Sequence, residues 1–206
     1  MRVGTVELLR RFPLRSAAGE EPAATTLDAA GLAGDRGWAV VDAEGAVLTA
    51  KQLPWLGGVR AVLDHDAGEP VLRARVSGHD VRGAALDAEL SALVGRAVAV
   101  RRQSGDRAGG GAGPHREGAA VHLVSAGAAD DPSAPPGCDP GERANVVLAL
   151  DAALATPGAE RGWVGAAVHL GGAVLQVTRT PSRCLGVYAD VLVPGVVRVG
   201  DDVLLG

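Results

Sequence analysis

The sequence predicts a mostly β fold, a two-lobed barrel assembly with few short helices. Three observations carry that prediction. Short β-prone runs recur along the whole chain, broken by Gly, Pro and Asp. A single stretch has convincing helical spacing. A polar, glycine-rich segment without apolar periodicity, 103–118, separates two halves. Many short strands joined by tight turns favour a barrel or folded sheets over alternating βαβ units.

In chain order, the first half is expected to form strands at 3–9, 38–41, 46–49, 59–63, 71–76 and 97–101. The second half is expected to form them at 121–124, 145–150, 167–170, 173–178, 185–192, 196–199 and 203–205. Asp42-Ala43-Glu44-Gly45, Gly171-Gly172 and Pro194-Gly195 read as hairpin turns. Leu86, Leu90, Leu93 and Val94 fall at helical spacing, with Asp87 as the expected cap and Gly95 as the expected end. A short helical turn is expected over 53–56, around Pro54, and 126–142 reads as a Pro-, Gly- and Asp-rich loop. The resulting division is a first domain over 1–102, a flexible linker over 103–118 and a second domain over 119–206.

The chain has 206 residues, 47% of them hydrophobic and 21% charged, so it holds enough apolar surface to offset the entropy of ordering. No run approaches the roughly 20 apolar residues of a membrane span. The opening MRVGTVELLRRFPLRS lacks the apolar core of a signal peptide. A net charge of −4 argues against a nucleic-acid binder held by phosphate contacts. Two cysteines, Cys138 and Cys184, are too few to staple a chain of this size, which points to reduced thiols and a cytoplasmic location. Nearly every basic residue is Arg, since Lys51 is the one lysine; a GC-rich coding sequence accounts for that bias.

Several common chemistries are excluded. Gly109-Gly110-Gly111-Ala112-Gly113 follows no strand and precedes no Gly-Lys-Ser/Thr, so it is a linker and not a phosphate loop. His65, His79, His115, His122 and His169 do not pair with one another or with cysteine at zinc spacing. No Gly-x-Ser-x-Gly elbow is present. Asp130-Asp131 and Asp201-Asp202 read as turn residues.

Chemistry therefore falls to a cysteine. Cys184, in Thr180-Pro181-Ser182-Arg183-Cys184-Leu185, sits between two strand-like runs, where a side chain can enter a cavity. The adjacent Arg183 favours a thiolate, the form that binds soft metals, provided a local bend brings the two side chains to one face. The competing reading of Cys184 is a small buried hydrophobe. Cys138 lies beside Asp139, which opposes a thiolate, so it is expected to be inert.

Two groups of motifs carry a resemblance. The first is Phe12-Pro13-Leu14-Arg15-Ser16, then Gly34-Asp35-Arg36-Gly37-Trp38, then Thr49-Ala50-Lys51-Gln52. The second is Arg143 with Asn145, then Trp163-Val164-Gly165, then Ser182-Arg183-Cys184, then Pro194-Gly195-Val196-Val197-Arg198-Val199-Gly200-Asp201. Together they cover nearly the whole chain and resemble the MOSC domain, the C-terminal domain of molybdenum cofactor sulfurases, preceded by the β-barrel domain found in the amidoxime-reducing branch. The resemblance implies a MOSC-type β-barrel fold and a bound molybdenum cofactor (molybdopterin). It implies that Cys184 is the catalytic residue and the protein ligand of the metal. It implies that Arg15 and Arg36 hold the phosphate end, and that Ser125, Arg143, Asn145 and Arg183 contact the pterin. An anionic pterin dithiolene suits fork-shaped permanent cations, which Arg supplies better than Lys. Asp35 is expected to orient Arg36, and Trp38 and Trp163 to pack in the interior.

The activity implied is two-electron reduction of a small N-hydroxylated or N-oxide-type substrate by an oxidoreductase. A separate reductase would supply electrons, because no flavin, haem or iron–sulfur motif is present. The alternatives are a sulfur carrier or sulfurtransferase working through a Cys184 persulfide, and a non-enzymatic cofactor carrier. The chain departs from the family in three places. Glu142-Arg143-Ala144-Asn145 lacks the usual flanking Phe and Pro, a Pro-rich loop replaces the helix before Arg143, and the long insertion after Cys184 is missing.

Overall fold

The computed structural model of the protein describes residues 1–66, 69–102, 119–129, 143–182 and 184–206. The first half holds strands β1 (Arg2–Leu9), β2 (Ala24–Asp28), β3 (Gly31–Leu32), β4 (Trp38–Asp42), β5 (Val47–Leu48), β6 (Arg60–Asp66), β7 (Glu69–Val76) and β8 (His79–Arg82), helix α1 (Gly83–Val94) and β9 (Val98–Arg102). The second holds β10 (Val121–Ser125), helix α2 (Ala126–Ala129), β11 (Val146–Leu150), β12 (Ala167–Leu170), β13 (Ala173–Arg179), β14 (Val187–Val193), β15 (Gly195–Arg198) and β16 (Asp202–Leu205). The mostly β, barrel-based fold expected from the sequence is what forms.

Seven strands close a barrel in the order β1-β11-β10-β14-β13-β12-β16. Inward-facing apolar side chains drive it, although register shifts in β1 between Arg2 and Gly4 and between Val6 and Leu8 break strict alternation. Val3, Val6 and Leu9 of β1 point inward onto Leu123, Val146, Leu148, Leu170, Leu175 and Val203, all buried in one cluster. Most neighbours are antiparallel, but β10 and β11 run parallel, with Leu123 opposite Val146. A second cluster, around Leu14, Val40, Leu56, Leu72, Leu86 and Leu90, forms the other lobe. There β5-β4-β9 and β6-β7-β8 make two three-stranded sheets beside α1. Trp163 lies in the first cluster and Trp38 in the second, each 8% exposed, so both pack in the interior as expected.

Strand pairing links the two halves. β1 belongs by position to the first half, yet it completes the barrel of the second, pairing with β11 on one side and β16 on the other. β2 likewise leaves its own half and pairs antiparallel with β15, Leu27 opposite Gly195. The division at 102 and 119 is therefore crossed by hydrogen-bonded strands. The expected linker, 103–118, lies outside the described residues.

Some local expectations change. Gly95 ends α1 in the left-handed region, φ 73°, as its position predicts. Asp87 does not cap the helix. Arg82 occupies that place, and Asp87 instead accepts the Val100 N–H at 2.7 Å, tying α1 to β9. Pro194-Gly195 is not a hairpin, because β15 turns away from β14 to pair with β2. The stretch expected as a loop from 126 begins with α2, and 130–142 lies outside the described residues.

Candidate functional site

The site begins in the segment that leaves β1. Its backbone is pinned at successive residues. The Arg10 N–H donates to the Asn145 carbonyl at 2.8 Å, and the Arg15 N–H to the Trp38 carbonyl at 2.9 Å. In return the Trp38 N–H donates to Pro13 at 3.0 Å and the Arg36 N–H to Phe12 at 2.7 Å. The Asp35 carboxylate, 1% exposed, accepts the Phe12 N–H at 2.7 Å and pairs with the Arg36 guanidinium. That buried pair fixes where Arg36 points, the role expected of Asp35. Arg36 also lies over the Phe12 ring, 5.2 Å from its centre.

Backbone strain is concentrated here. Ser16 and Arg36 have φ of 66° and 49°, in the left-handed region that side chains disfavour. Gly19 is held so close that a Cβ would come 2.2 Å from the Arg11 carbonyl oxygen. Costs of this kind persist where the surroundings enforce them, and they cluster at ligand sites.

These residues line an open cavity of about 540 Å³. Five arginines face it, Arg10, Arg15, Arg36, Arg60 and Arg143, against Glu20 and Glu21. Both acids are engaged, Glu20 by Arg11 at 2.8 Å and Glu21 by Arg10 at 3.2 Å. Among the described residues Arg60 and Arg143 form no ion pair, and both are exposed. Arg10 Nη1 is buried without a hydrogen-bond partner. An excess of guanidinium on a net-acidic chain makes this cavity an anion site in its chemistry.

The segment bearing the cysteine is held against β10 and does not line the cavity. His122 is buried on β10, and its Nε2 donates to the Leu185 carbonyl at 2.8 Å. Burial pushes the His122 pKa down, opposed in part by that hydrogen bond, and the Arg36 charge adds to the depression. Arg36 thus lies within electrostatic reach of the histidine that holds Leu185, next to Cys184. Gly186, φ 81°, brings the chain so close to β10 that a Cβ would sit 2.2 Å from the Leu123 carbonyl oxygen. Arg161 Nη1 donates to the Cys184 carbonyl at 3.4 Å.

The structure gathers part of the expected set. Arg15, Arg36 and Arg143 line the one cavity. Ser125 is 3% exposed at the end of β10, its Oγ has no hydrogen-bond partner, and it is not among the residues lining the cavity. Asn145 is 2% exposed and turns inward. Its Oδ1 accepts the His122 N–H at 3.2 Å and its Nδ2 donates to the Arg10 carbonyl at 3.3 Å. It braces the wall behind Arg10 and is not among the residues lining the cavity. Arg183 lies outside the described residues.

Cys184 is half-buried and disulfide-bonded. The chain has one other cysteine, Cys138, which lies outside the described residues. This corrects the expectation of free thiols. Counting two cysteines argues against a disulfide scaffold, but not against one bond at a single place. The argument from cysteine usage to a reducing compartment goes with it. Among the described residues no group of three or more His, Cys, Asp or Glu could hold a metal ion. No helix among them is long and apolar enough to cross a membrane.

The sequence reading missed Arg10 and Arg60. Arg10 neighbours a motif already singled out, whereas Arg60 opens β6 with no local signal. It also missed Glu160, fully buried with neither carboxylate oxygen partnered, beside Arg161.

Fold and site together define a two-lobed β protein with a cationic cavity walled by its N-terminal arm. The family model of the MOSC N-terminal beta barrel domain matches residues 3–110, a little over half of the chain. The chain belongs to that family. No curated protein matches it.

Proposed function

We propose that this protein binds molybdenum cofactor in the arginine-lined cavity and acts as a small oxidoreductase on N-hydroxylated or N-oxide-type compounds. The observation that carries the reading is the convergence of Arg15, Arg36 and Arg143, from three separate segments, on one cavity. When bound, the cofactor would supply the two-electron redox chemistry. The chain would supply the hold. Arg15 and Arg36 would grip the phosphate, with Asp35 fixing the aim of Arg36. Arg143 would meet the pterin from a separate segment, and Ser125, whose Oγ is unpartnered, would be a further contact only if the bound group reaches behind the cavity wall. Arg10 and Arg60 add positive charge at the same wall. Cys184, once reduced, would be the soft ligand, and Arg183 beside it would favour its thiolate. A separate reductase would deliver electrons.

Sulfur transfer through a Cys184 persulfide is the second reading.

Metal and pterin analysis of protein from a molybdenum-replete host tests the proposal. Near-stoichiometric molybdenum and pterin are expected. Arg36→Ala and Arg143→Ala should each lower occupancy about tenfold or more, since a charge-assisted contact is worth about 1.5–3 kcal/mol, with little change in Tm for Arg143→Ala. Sulfane sulfur on Cys184 without molybdenum would favour the second reading. Unchanged occupancy in both arginine variants would remove the cation-cradle argument.

A further inference from the structure

We infer that the cavity is built for two linked phosphates: beyond the place at Arg15 and Arg36, its wall carries a second anion subsite at Arg60, and it takes a diphosphate group. This goes beyond the cofactor reading, which needs one phosphate held, and it stands on the cavity's own charges.

The wall holds more positive charge than one phosphate can meet. Six guanidinium groups line it or are bonded to it, those of Arg10, Arg11, Arg15, Arg36, Arg60 and Arg143. Among the described residues, the carboxylates of Glu20, Glu21 and Asp35 stand against them, an excess of three positive charges. A single phosphate monoester brings about −1.5 to −2. A second, linked phosphate meets the remainder. The volume of about 540 Å³ is also far more than one phosphate fills, and lies in the range of about 300–1,000 Å³ of small-molecule sites.

The surplus is sharpest at Arg60. Glu20 is committed elsewhere, its Oε1 accepting Arg11 Nε at 2.9 Å and the Leu63 N–H at 3.0 Å. The residue opposite Arg60 in the β6–β7 register is another arginine, Arg75. Both are exposed, and neither forms an ion pair among the described residues. Asp80 of β8 stands opposite Arg75, but its carboxylate accepts from Arg73 Nη1 at 2.7 Å. Like charges directly opposite each other destabilise a sheet. An anion bound at this corner removes that cost.

The base of Arg60 is also fixed. The Ala18 N–H donates to the Val59 carbonyl and the Ala61 N–H to the Ala18 carbonyl, both at 2.9 Å, so β6 is tied to the wall on either side of Arg60. From the barrel side, Arg10 Nη1 is buried without a partner. Fork-shaped donors of this kind suit phosphate oxygens. The ligand class is a diphosphate ester, carried either on the pterin or on a nucleoside.

The test uses the full chain from a host unable to make the pterin cofactor, titrated calorimetrically with inorganic phosphate and with pyrophosphate at low salt. Pyrophosphate should bind one to one, about tenfold or more tighter than phosphate, the gain from one added charge-assisted subsite. Arg60→Ala, a change to an exposed side chain, should weaken pyrophosphate about tenfold and phosphate by less than about threefold. Arg101→Ala removes the same charge outside the cavity and should change neither. Equal affinity for the two probes, an Arg60→Ala loss shared alike by both, or the same loss in Arg101→Ala would overturn the subsite. Acid extracts of protein from a molybdenum-replete host tell the sources apart. Nucleotide released in step with pterin puts the diphosphate on the pterin, and pterin without nucleotide puts it on a nucleoside. Pyrophosphate preference with no molybdenum or pterin in that extract keeps the subsite and removes the cofactor reading; molybdenum and pterin without the preference does the reverse.

Discussion

His122 has a measurable consequence of its own. Its ring is buried against Tyr188, edge to face at 5.1 Å, and its pKa is held below the ordinary 6.5, first by burial. Between 6.5 and that lower value, the unfolded chain binds a proton there that the folded chain refuses. Stability therefore falls as pH drops through 6.5, levels off below the folded pKa, and is untouched by this group at higher pH. Thermal unfolding from pH 8 to 5 should show that loss, and His122→Gln should show a flatter profile over the same range. A variant as acid-sensitive as wild type would mean the slope comes from elsewhere. Legibility at this scale was uneven. Arg15, Arg36 and Arg143 were readable because each sits in a local motif. Asn145 was readable as important, but not as a brace, because only the fold brings Arg10 and His122 to its two ends. The Cys184 bond was not readable at all, since the sequence around a cysteine does not say whether it meets another.

Among the elements, α1 shows how local signals and tertiary demands share out residues. Its apolar spacing buries Leu86 and Leu90, which a period of 3.6 makes visible in sequence. Asp87 was misread because a carboxylate near a helix start serves a cap or a neighbouring strand equally well, and β9 claims it here. Ser91 does the same, donating to the Val98 carbonyl and accepting its N–H, both at 3.0 Å. Leu90 is 0% exposed in the core of this lobe. Leu90→Ala should cost about 2–5 kcal/mol by the transfer and cavity terms of such truncations, read by urea denaturation; a loss below about 1 kcal/mol would mean the lobe collapses around the gap. β2 and β8 escaped the sequence reading for opposite reasons. β2 buries only Thr25 and Leu27, and β8 buries none of its residues, so neither carries much apolar signal.

At the scale of the whole molecule, the barrel class was legible from strand density and turns, while the ownership of β1 was not. Its β-prone residues say that it is a strand, but nothing in them names its partners. Because β1 and β2 both cross to the second half, cutting the chain between the halves should not part them. With a protease site placed in 103–118, the nicked protein should elute as one species in gel filtration and separate only in denaturant. Two peaks under native conditions would show that the cross-pairing is too weak to hold.

The place of β1 also bears on how the protein is made. Arg2 pairs opposite Leu204, and Gly4 opposite both Leu150 and Val203. On the ribosome β1 is made well before β11 and β16, so its apolar face stays unsatisfied until those two strands have emerged. Barrel closure therefore waits on contacts of long sequence separation, and the nascent chain has a built-in need for shelter in the meantime.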